Sequence, residues 1–255
     1  MAYKLLADKT ILVTGVLNTS SLAFSIAEKI IEEDGNVVLT SFDRVTRITR
    51  KVASKLGDSI EVVEFDALKN DNNLVAQLEG KINYLDGVVH AIAKSPIEAV
   101  GGGFTSASSS AILECLEISA VSLHKLVKEL DSVLKANSSI VALGFDASKV
   151  YPGYDWLGVS KASLESIVRY LALYLGKQNI RVNILSAGPV DTFSTQNLPG
   201  FNEFKTNWGS KAPLGWSTAD RVNVADTCVA LLSDLTKKIT GEVIHVDGGY
   251  HIVGY

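Results

Sequence analysis

Residues 10–14 read Thr-Ile-Leu-Val-Thr, a short apolar run rich in β-branched side chains that stops at Gly15. A run of this kind suits a strand covered on both faces, as strands of parallel sheets are. Leu22, Ala23, Ile26, Ala27, Ile30 and Ile31 then recur at the spacing of one helix face, and a second apolar run begins at Asn36. Strand, glycine turn, helix and strand in that order are the opening of a dinucleotide-binding fold.

The alternation continues along the chain. Residues 36–40, 60–65, 87–93, 139–143, 181–186 and 242–246 read as strands two to seven, and residues 46–56, 72–82, 111–134, 154–176 and 223–232 as the helices among them. A glycine and serine cluster at 101–110 is a loop too short to divide the chain, and no linker or repeat is present. The 255 residues therefore predict one α/β domain spanning 1–255, a single doubly wound parallel sheet of seven strands of Rossmann type. Its ligands are expected beyond the carboxyl ends of the strands.

Composition narrows the function classes. A net charge of -4 with 20% charged residues shows no basic excess, so neither nucleic acid nor an anionic membrane surface is expected as a partner. No apolar run approaches a membrane span, and the first residues show no leader, which together predict a cytoplasmic protein. Cys115 and Cys228 lie inside apolar helical patterns without metal-type spacing, so they read as buried packing residues and no metal is expected.

The residues just after strands one to four should form the nucleotide site. After strand one, Gly15 can make the tight turn although Gly-x-Gly-x-x-Gly is absent, and Ser21, with Leu22 next to it, stands where a helix start can bind a pyrophosphate. Phe42 follows strand two with a ring suited to an adenine face. Asp43 favours ribose hydroxyls and Arg44 a 2′-phosphate, so NADH is expected ahead of NADPH. Asp66 and Ala67 follow strand three, where the carboxylate can accept from an adenine amino group. Taken alone, Ser21 and Asp66 are equally well a helix cap and a loop cap.

Residues 145–161 read Phe-Asp-Ala-Ser-Lys-Val-Tyr-Pro-Gly-Tyr-Asp-Trp-Leu-Gly-Val-Ser-Lys. If the helix begins at Tyr154, Tyr154 and Lys161 stand two turns apart on one face, about 10 Å along the axis. Gly158, between them, has no side chain, so the phenol and the ammonium can both reach a ligand lying on that face.

With these residues, and with His90-Ala91-Ile92-Ala93, Ala187-Gly188-Pro189-Val190-Asp191-Thr192, Ala212-Pro213-Leu214-Gly215-Trp216 and Asp247-Gly248-Gly249, nearly the whole chain resembles the divergent short-chain dehydrogenases that serve as bacterial enoyl-acyl carrier protein reductases. The likeness is greatest to the actinobacterial InhA branch. Six residues between tyrosine and lysine are the most specific sign, since ordinary members place the lysine one turn after the tyrosine. Ketone-reducing members also carry a serine near Val141, where this chain has no hydroxyl, while Phe145 matches the phenylalanine of the actinobacterial branch.

The resemblance implies reduction of the carbon–carbon double bond of trans-2-enoyl-acyl carrier protein thioesters in fatty acid synthesis. Tyr154, Lys161 and Phe145 would be catalytic: Lys161 holds the nicotinamide ribose, Tyr154 donates to the thioester oxygen, and Phe145 shapes the gap beside the nicotinamide. Gly15, Ser21, Leu22, Phe42, Asp66, Ala67, Ile92, Ala93, Lys161, Val190 and Thr192 would hold the cofactor. Ser95, Tyr154, Leu157 and Phe193 would meet the acyl substrate, under an amphipathic lid at 193–210. That lid is shorter than the mycobacterial one, which argues against a preference for very long chains. A homotetramer built through the helices around 111–134 and 154–176 is expected. Ala91 and Lys94 depart from the family pattern of a serine and an aromatic residue, and Lys94 reads as a solvated rim lysine. Two other readings stay open: a short-chain dehydrogenase acting on a ketone or alcohol, and an inactive nucleotide-binding regulator.

Overall fold

Seven strands form one sheet in the order β3-β2-β1-β4-β5-β6-β7: β1 (Thr10–Val13), β2 (Asn36–Ser41), β3 (Glu61–Glu64), β4 (Leu85–His90), β5 (Leu134–Gly144), β6 (Arg181–Ala187) and β7 (Val243–Val246). Every pairing is parallel. The computed structural model describes residues 4–192, 195, 201–219 and 221–254, and for Arg44 and residues 201–204 the backbone alone.

Helices cover both faces: α1 (Leu22–Glu32), α2 (Thr46–Ala53), α3 (Leu74–Leu78), α4 (Ser109–Leu116), α5 (Ser122–Leu130), α6 (Asp155–Leu175), α7 (Phe201–Lys211) and α8 (Arg221–Leu232). Alternate residues of a strand point to opposite faces, and the core divides accordingly. Ile11 and Val13 pack with Ile26 and Ile30 of α1 and Val224 and Cys228 of α8. Leu12 packs on the other face with Leu123, Leu126 and Leu130 of α5 and Leu164 and Val168 of α6. All of these are essentially solvent-free, and each large apolar side chain so buried contributes about 1.5–3 kcal/mol before chain entropy is counted.

Four expectations need correction. The helix predicted over 111–134 ends at Leu130 and is interrupted by a π-turn, Glu117–Val121, that joins α4 to α5. Strand five starts at Leu134 instead of residue 139, because Leu134 pairs with Leu85 across a register irregularity. The helix predicted over 72–82 shrinks to Leu74–Leu78 between Asn73, in a left-handed conformation at φ 53°, and Gly80 at φ 73°. Strand four also stops early, at His90, since the next amide, Ala91, turns to donate to the Thr14 hydroxyl at 2.8 Å.

The sheet order reverses between β1 and β4, and the crevice at that point is where doubly wound sheets bind dinucleotides. Residues 15–23, 42–43, 66–67, 91–95, 145–161 and 188–192 all lie beyond the carboxyl ends of the strands.

Candidate active site

Gly15 closes β1 at φ 81°, and a Cβ there would lie 2.2 Å from the Ala91 carbonyl oxygen. Both facts require glycine: the turn needs a positive φ, and the β4 loop crosses directly over it. The remaining turn residues are fixed by side chains instead of further glycines. Asn18 Oδ1 accepts from the Ser20 amide (3.0 Å) and hydroxyl (2.7 Å), and Arg221 at the start of α8 donates to the Ser20 carbonyl at 2.8 Å. Ser21 caps α1, accepting from the Phe24 amide at 3.1 Å. The Leu22 and Ala23 amides are left without a partner among the described residues, so the positive end of the helix is open to an anion.

The other residues predicted to hold a cofactor follow the later strands. Phe42 is 41% exposed, a ring with one face still to cover. Asp66 makes local bonds: its carboxylate accepts from the Leu68 amide at 2.9 Å and its own amide donates to Asn72. Lys125 reaches across from α5 to donate to the Ala67 carbonyl at 3.0 Å, which holds the loop. Ile92 is half-buried and Ala93 exposed. Val190 is buried, and the Thr192 hydroxyl accepts from the Thr195 amide at 3.2 Å.

The 145–161 stretch folds as the spacing predicts. Helix α6 starts one residue after Tyr154, and Gly158 faces its ring, since a Cβ there would lie 3.4 Å from it, in van der Waals contact. Lys161 is 5% exposed and donates to the Leu143 carbonyl at 2.9 Å. Burial pushes its ammonium down to about 8, since removing a cation from water favours the neutral amine. The same burial raises the Tyr154 phenol, keeping it protonated and able to donate at any working pH. The Phe145 ring lies 5.0 Å from the Tyr154 ring.

Two polar groups outside the motif support this face. His90, fully buried at the end of β4, meets the Ser122 hydroxyl at 2.8 Å, and that hydroxyl itself donates to the Ile118 carbonyl at 2.7 Å. The network therefore assigns the His90 proton to Nε2 and leaves Nδ1 without a partner among the described residues. Burial, and after it the Lys161 charge, lowers this imidazole to about 3, so it stays neutral. Cys115 is buried as predicted; its thiol lies 3.2 Å from the Ser160 hydroxyl, which donates to the Trp156 carbonyl. Cys228 is equally buried, and among the described residues no group of side chains has the makings of a metal site.

Of the residues predicted to meet the acyl substrate, Leu157 is buried and Ser95 is half-buried, its hydroxyl turned to the Pro96 carbonyl at 3.1 Å. Phe193 lies outside the described residues, as do most of residues 193–200 of the predicted lid. Lys94 is exposed at the rim and paired with Glu114 at 3.3 Å.

Reading the sequence alone missed a second tyrosine and its partners. The Tyr151 hydroxyl donates to Asp146 at 3.0 Å, and its ring meets Phe145 edge-on at 4.8 Å. Trp208 of α7 joins them, 5.7 Å from Phe145 and stacked on Tyr250 at 3.8 Å. Asp247 accepts from the His251 amide at 2.8 Å and meets its ring, and His251 stacks on His245. The closeness of Asp146 and Tyr151 in sequence was a readable signal; Arg221 and Tyr250 had none, being far away along the chain.

A glycine turn at a switch point, an open helix start, and a tyrosine and lysine two turns apart define a dinucleotide-dependent oxidoreductase of the short-chain dehydrogenase type. The family model described as enoyl-(acyl carrier protein) reductase matches residues 15–251. The chain is 35% identical over 260 residues to the enoyl-[acyl-carrier-protein] reductase [NADH] of Mycobacterium avium, covering 96% of this chain and 97% of that one. It is 37% identical over 255 residues to the Aquifex aeolicus enzyme of the same description, covering 98% and 94%. It is also 34% identical to an [NADPH] enzyme of Staphylococcus aureus, covering 97% and 98%. The chain belongs to the enoyl-acyl carrier protein reductase family.

Proposed function

We propose that this protein reduces the carbon–carbon double bond of trans-2-enoyl thioesters carried by acyl carrier protein, with NADH as reductant, in the cytoplasmic synthesis of fatty acids. The observation that carries the reading is the helix face on which Tyr154 and Lys161 stand two turns apart with the Phe145 ring beside the phenol.

The residues fit NADH. The open start of α1, with Leu22 and Ala23 amides free and Ser21 at the cap, suits a pyrophosphate; Phe42 and Asp66 flank the place of an adenine. Lys161, held at Leu143 by one of its three donors, has two left for ribose hydroxyls. Val190 and Thr192 line the nicotinamide end, with Ile92 and Ala93 across from them. When bound, NADH supplies the hydride to the β-carbon. Tyr154 then donates a hydrogen bond to the thioester oxygen as negative charge develops there, the kind of stabilisation that counts most in such sites. Phe145 limits how the enoyl group can lie, and Leu157, Ser95 and Phe193 bound the acyl moiety. A ketone-reducing reading would want a hydroxyl at Val141, which is an apolar side chain buried in β5.

One catalytic domain, with residues 193–210 as its substrate lid, accounts for the whole chain. A homotetramer is supported by the exposed Tyr170, Leu173 and Tyr174, at 63%, 67% and 68%, which form one apolar stripe on α6. No helix of the described residues is long and apolar enough to cross a membrane. The test is loss of reduced-cofactor absorbance with trans-2-octenoyl thioester and NADH or NADPH. Turnover with NADH is expected, and turnover only with a ketone, or with neither, overturns the reading.

A further inference from the structure

Helix α5 gives Leu123, Leu126 and Leu130 to the core, and beside that face stand Lys125 and Glu129, one turn apart. A lysine and a glutamate at this spacing can pair with each other; here both turn to the loop that follows β3. Glu129 Oε1 accepts from the Asn72 amide and from its side-chain Nδ2, each at 2.9 Å, and Oε2 accepts from the Leu74 amide at 3.2 Å. Lys125 donates to the Ala67 carbonyl at 3.0 Å and to the Lys69 carbonyl at 3.3 Å, and it pairs with Glu117 in the π-turn.

Asn72 passes this anchorage on to Asp66. Its side-chain oxygen accepts from the Asp66 amide at 2.7 Å and its Nδ2 donates to the Asp66 carbonyl at 3.3 Å, so one side chain meets both main-chain groups of Asp66 as a neighbouring strand would. Residues 65–73 contain no helix or strand, and Asn73 is left-handed at φ 53°, so the place of Asn72 depends on side-chain ties. Gln77 of α3 supplies one, donating to the Asn72 carbonyl at 2.8 Å. Hydrogen bonds to an ionised acceptor are about twice as strong as those between neutral groups, which makes the Glu129 carboxylate the strongest tie.

What the loop presents is an acceptor beside a donor. Asp66 Oδ1 accepts from the Leu68 amide, while Oδ2 and the Ala67 amide engage none of the described residues. The Watson–Crick edge of adenine carries an amino donor beside a ring-nitrogen acceptor, the complement of that pair. Hypoxanthine carries a carbonyl acceptor beside an N–H donor and would set like against like. The two protein atoms keep their register only while the main chain at Asp66 is held.

We propose that Glu129 is a positioning residue for the cofactor: through Asn72 it fixes the Asp66–Ala67 main chain, so that this pair reads the base of the dinucleotide as adenine. This rests on the reading of the site as one for NADH and adds the residue that holds its adenine end, 63 positions away along the chain from Asp66 and out of reach of the ligand itself.

Titration calorimetry on the whole protein measures Kd for NADH and for reduced nicotinamide hypoxanthine dinucleotide, which differs only in the base. The unaltered protein is expected to bind NADH about tenfold the tighter, and Glu129→Ala to reduce that ratio to about threefold or less, chiefly by weakening NADH. Glu129→Gln, which keeps one acceptor oxygen, should fall between. With the octenoyl thioester, Glu129→Ala should raise KM for NADH and leave kcat within about twofold, since the nicotinamide end is untouched. Folding is checked by Tm; if Glu129→Ala does not fold, Lys125→Met loosens the same loop at the Ala67 carbonyl and should lower the ratio by a smaller factor. A folded variant that keeps the ratio of the unaltered protein overturns the proposal, whatever its Tm, and makes Glu129 a residue of the fold alone. An unaltered protein that binds both dinucleotides equally overturns it as well. No binding of either one by the unaltered protein refutes the NADH reading itself, and the proposal with it.

Discussion

The two ends of the site are built from opposite materials. At the cofactor end, a turn with one glycine is held by Asn18, Ser21, Thr14 and Arg221, and the fixings leave backbone donors pointing outward. Near Tyr154, Phe145, Tyr151, Trp208 and Tyr250 fill the space with rings, and the Tyr151 hydroxyl and Trp208 indole N–H are already paired. Two tyrosines three residues apart mark the border. Tyr151 gives its hydroxyl to Asp146, while that of Tyr154 engages none of the described residues and is left for a ligand. On the proposed reading, the first end would meet a rigid polar molecule with prepared donors, while the second offers a thioester one phenol among packed rings.

Substitutions on either side of that border should fail in different ways. The largest effect is expected from Tyr154→Phe, which should lower kcat on the order of tenfold or more with little change in NADH Kd, because only a transition-state donor is lost. Lys161→Ala should act on the cofactor, raising NADH Kd by about tenfold or more, as befits a lost charged donor; normal binding would mean that the lysine serves the fold alone. With its ammonium at about 8, Lys161 also sets a sign: the charged donor is present below that value and lost above it. Titration calorimetry should therefore show NADH binding weakening as pH rises through 8, and Lys161→Ala should flatten the profile.

Arg221→Ala should raise NADH Kd by a smaller factor, about threefold to tenfold, with Arg221→Lys restoring part of it, since the guanidinium touches the turn and not the ligand. Tyr151→Phe should cost about 1–3 kcal/mol of stability in urea melts by leaving an Asp146 oxygen buried without its donor, and should lower kcat far less than Tyr154→Phe. Equal losses of kcat in the two tyrosine variants would erase the border.

How much of this was legible in the sequence depended on distance along the chain. The strands were readable because each is a compact apolar run, and Tyr154, Gly158 and Lys161 because a helix face is local arithmetic. The π-turn and the short α3 were not, since the first breaks no composition rule and the second hinges on Asn73 adopting a left-handed conformation. Arg221 meets Ser20 across 201 residues, and Trp208 finds Asp247 and Tyr250 only after β6 and β7 are paired. Such contacts follow from the fold and leave no pattern of their own. Lys94 shows the reverse case: its departure from the family pattern was visible, and its structural meaning is an exposed ion pair with Glu114, worth little in stability.

The π-turn between α4 and α5 sets a limit on how this chain can vary. Each helical residue advances the next by about 100°. The wide turn at Glu117–Val121 absorbs one residue that a regular helix would not hold. Deleting a single residue there would wind the segment into an unbroken helix and rotate everything after it by roughly that angle. Leu123, Leu126 and Leu130 would leave the core, and Ser122 would leave His90. A one-residue deletion is usually harmless in a loop, but here it would disturb the core under one face of the sheet and the buried His90–Ser122 pair together. Length at this place should therefore be kept even where side chains drift.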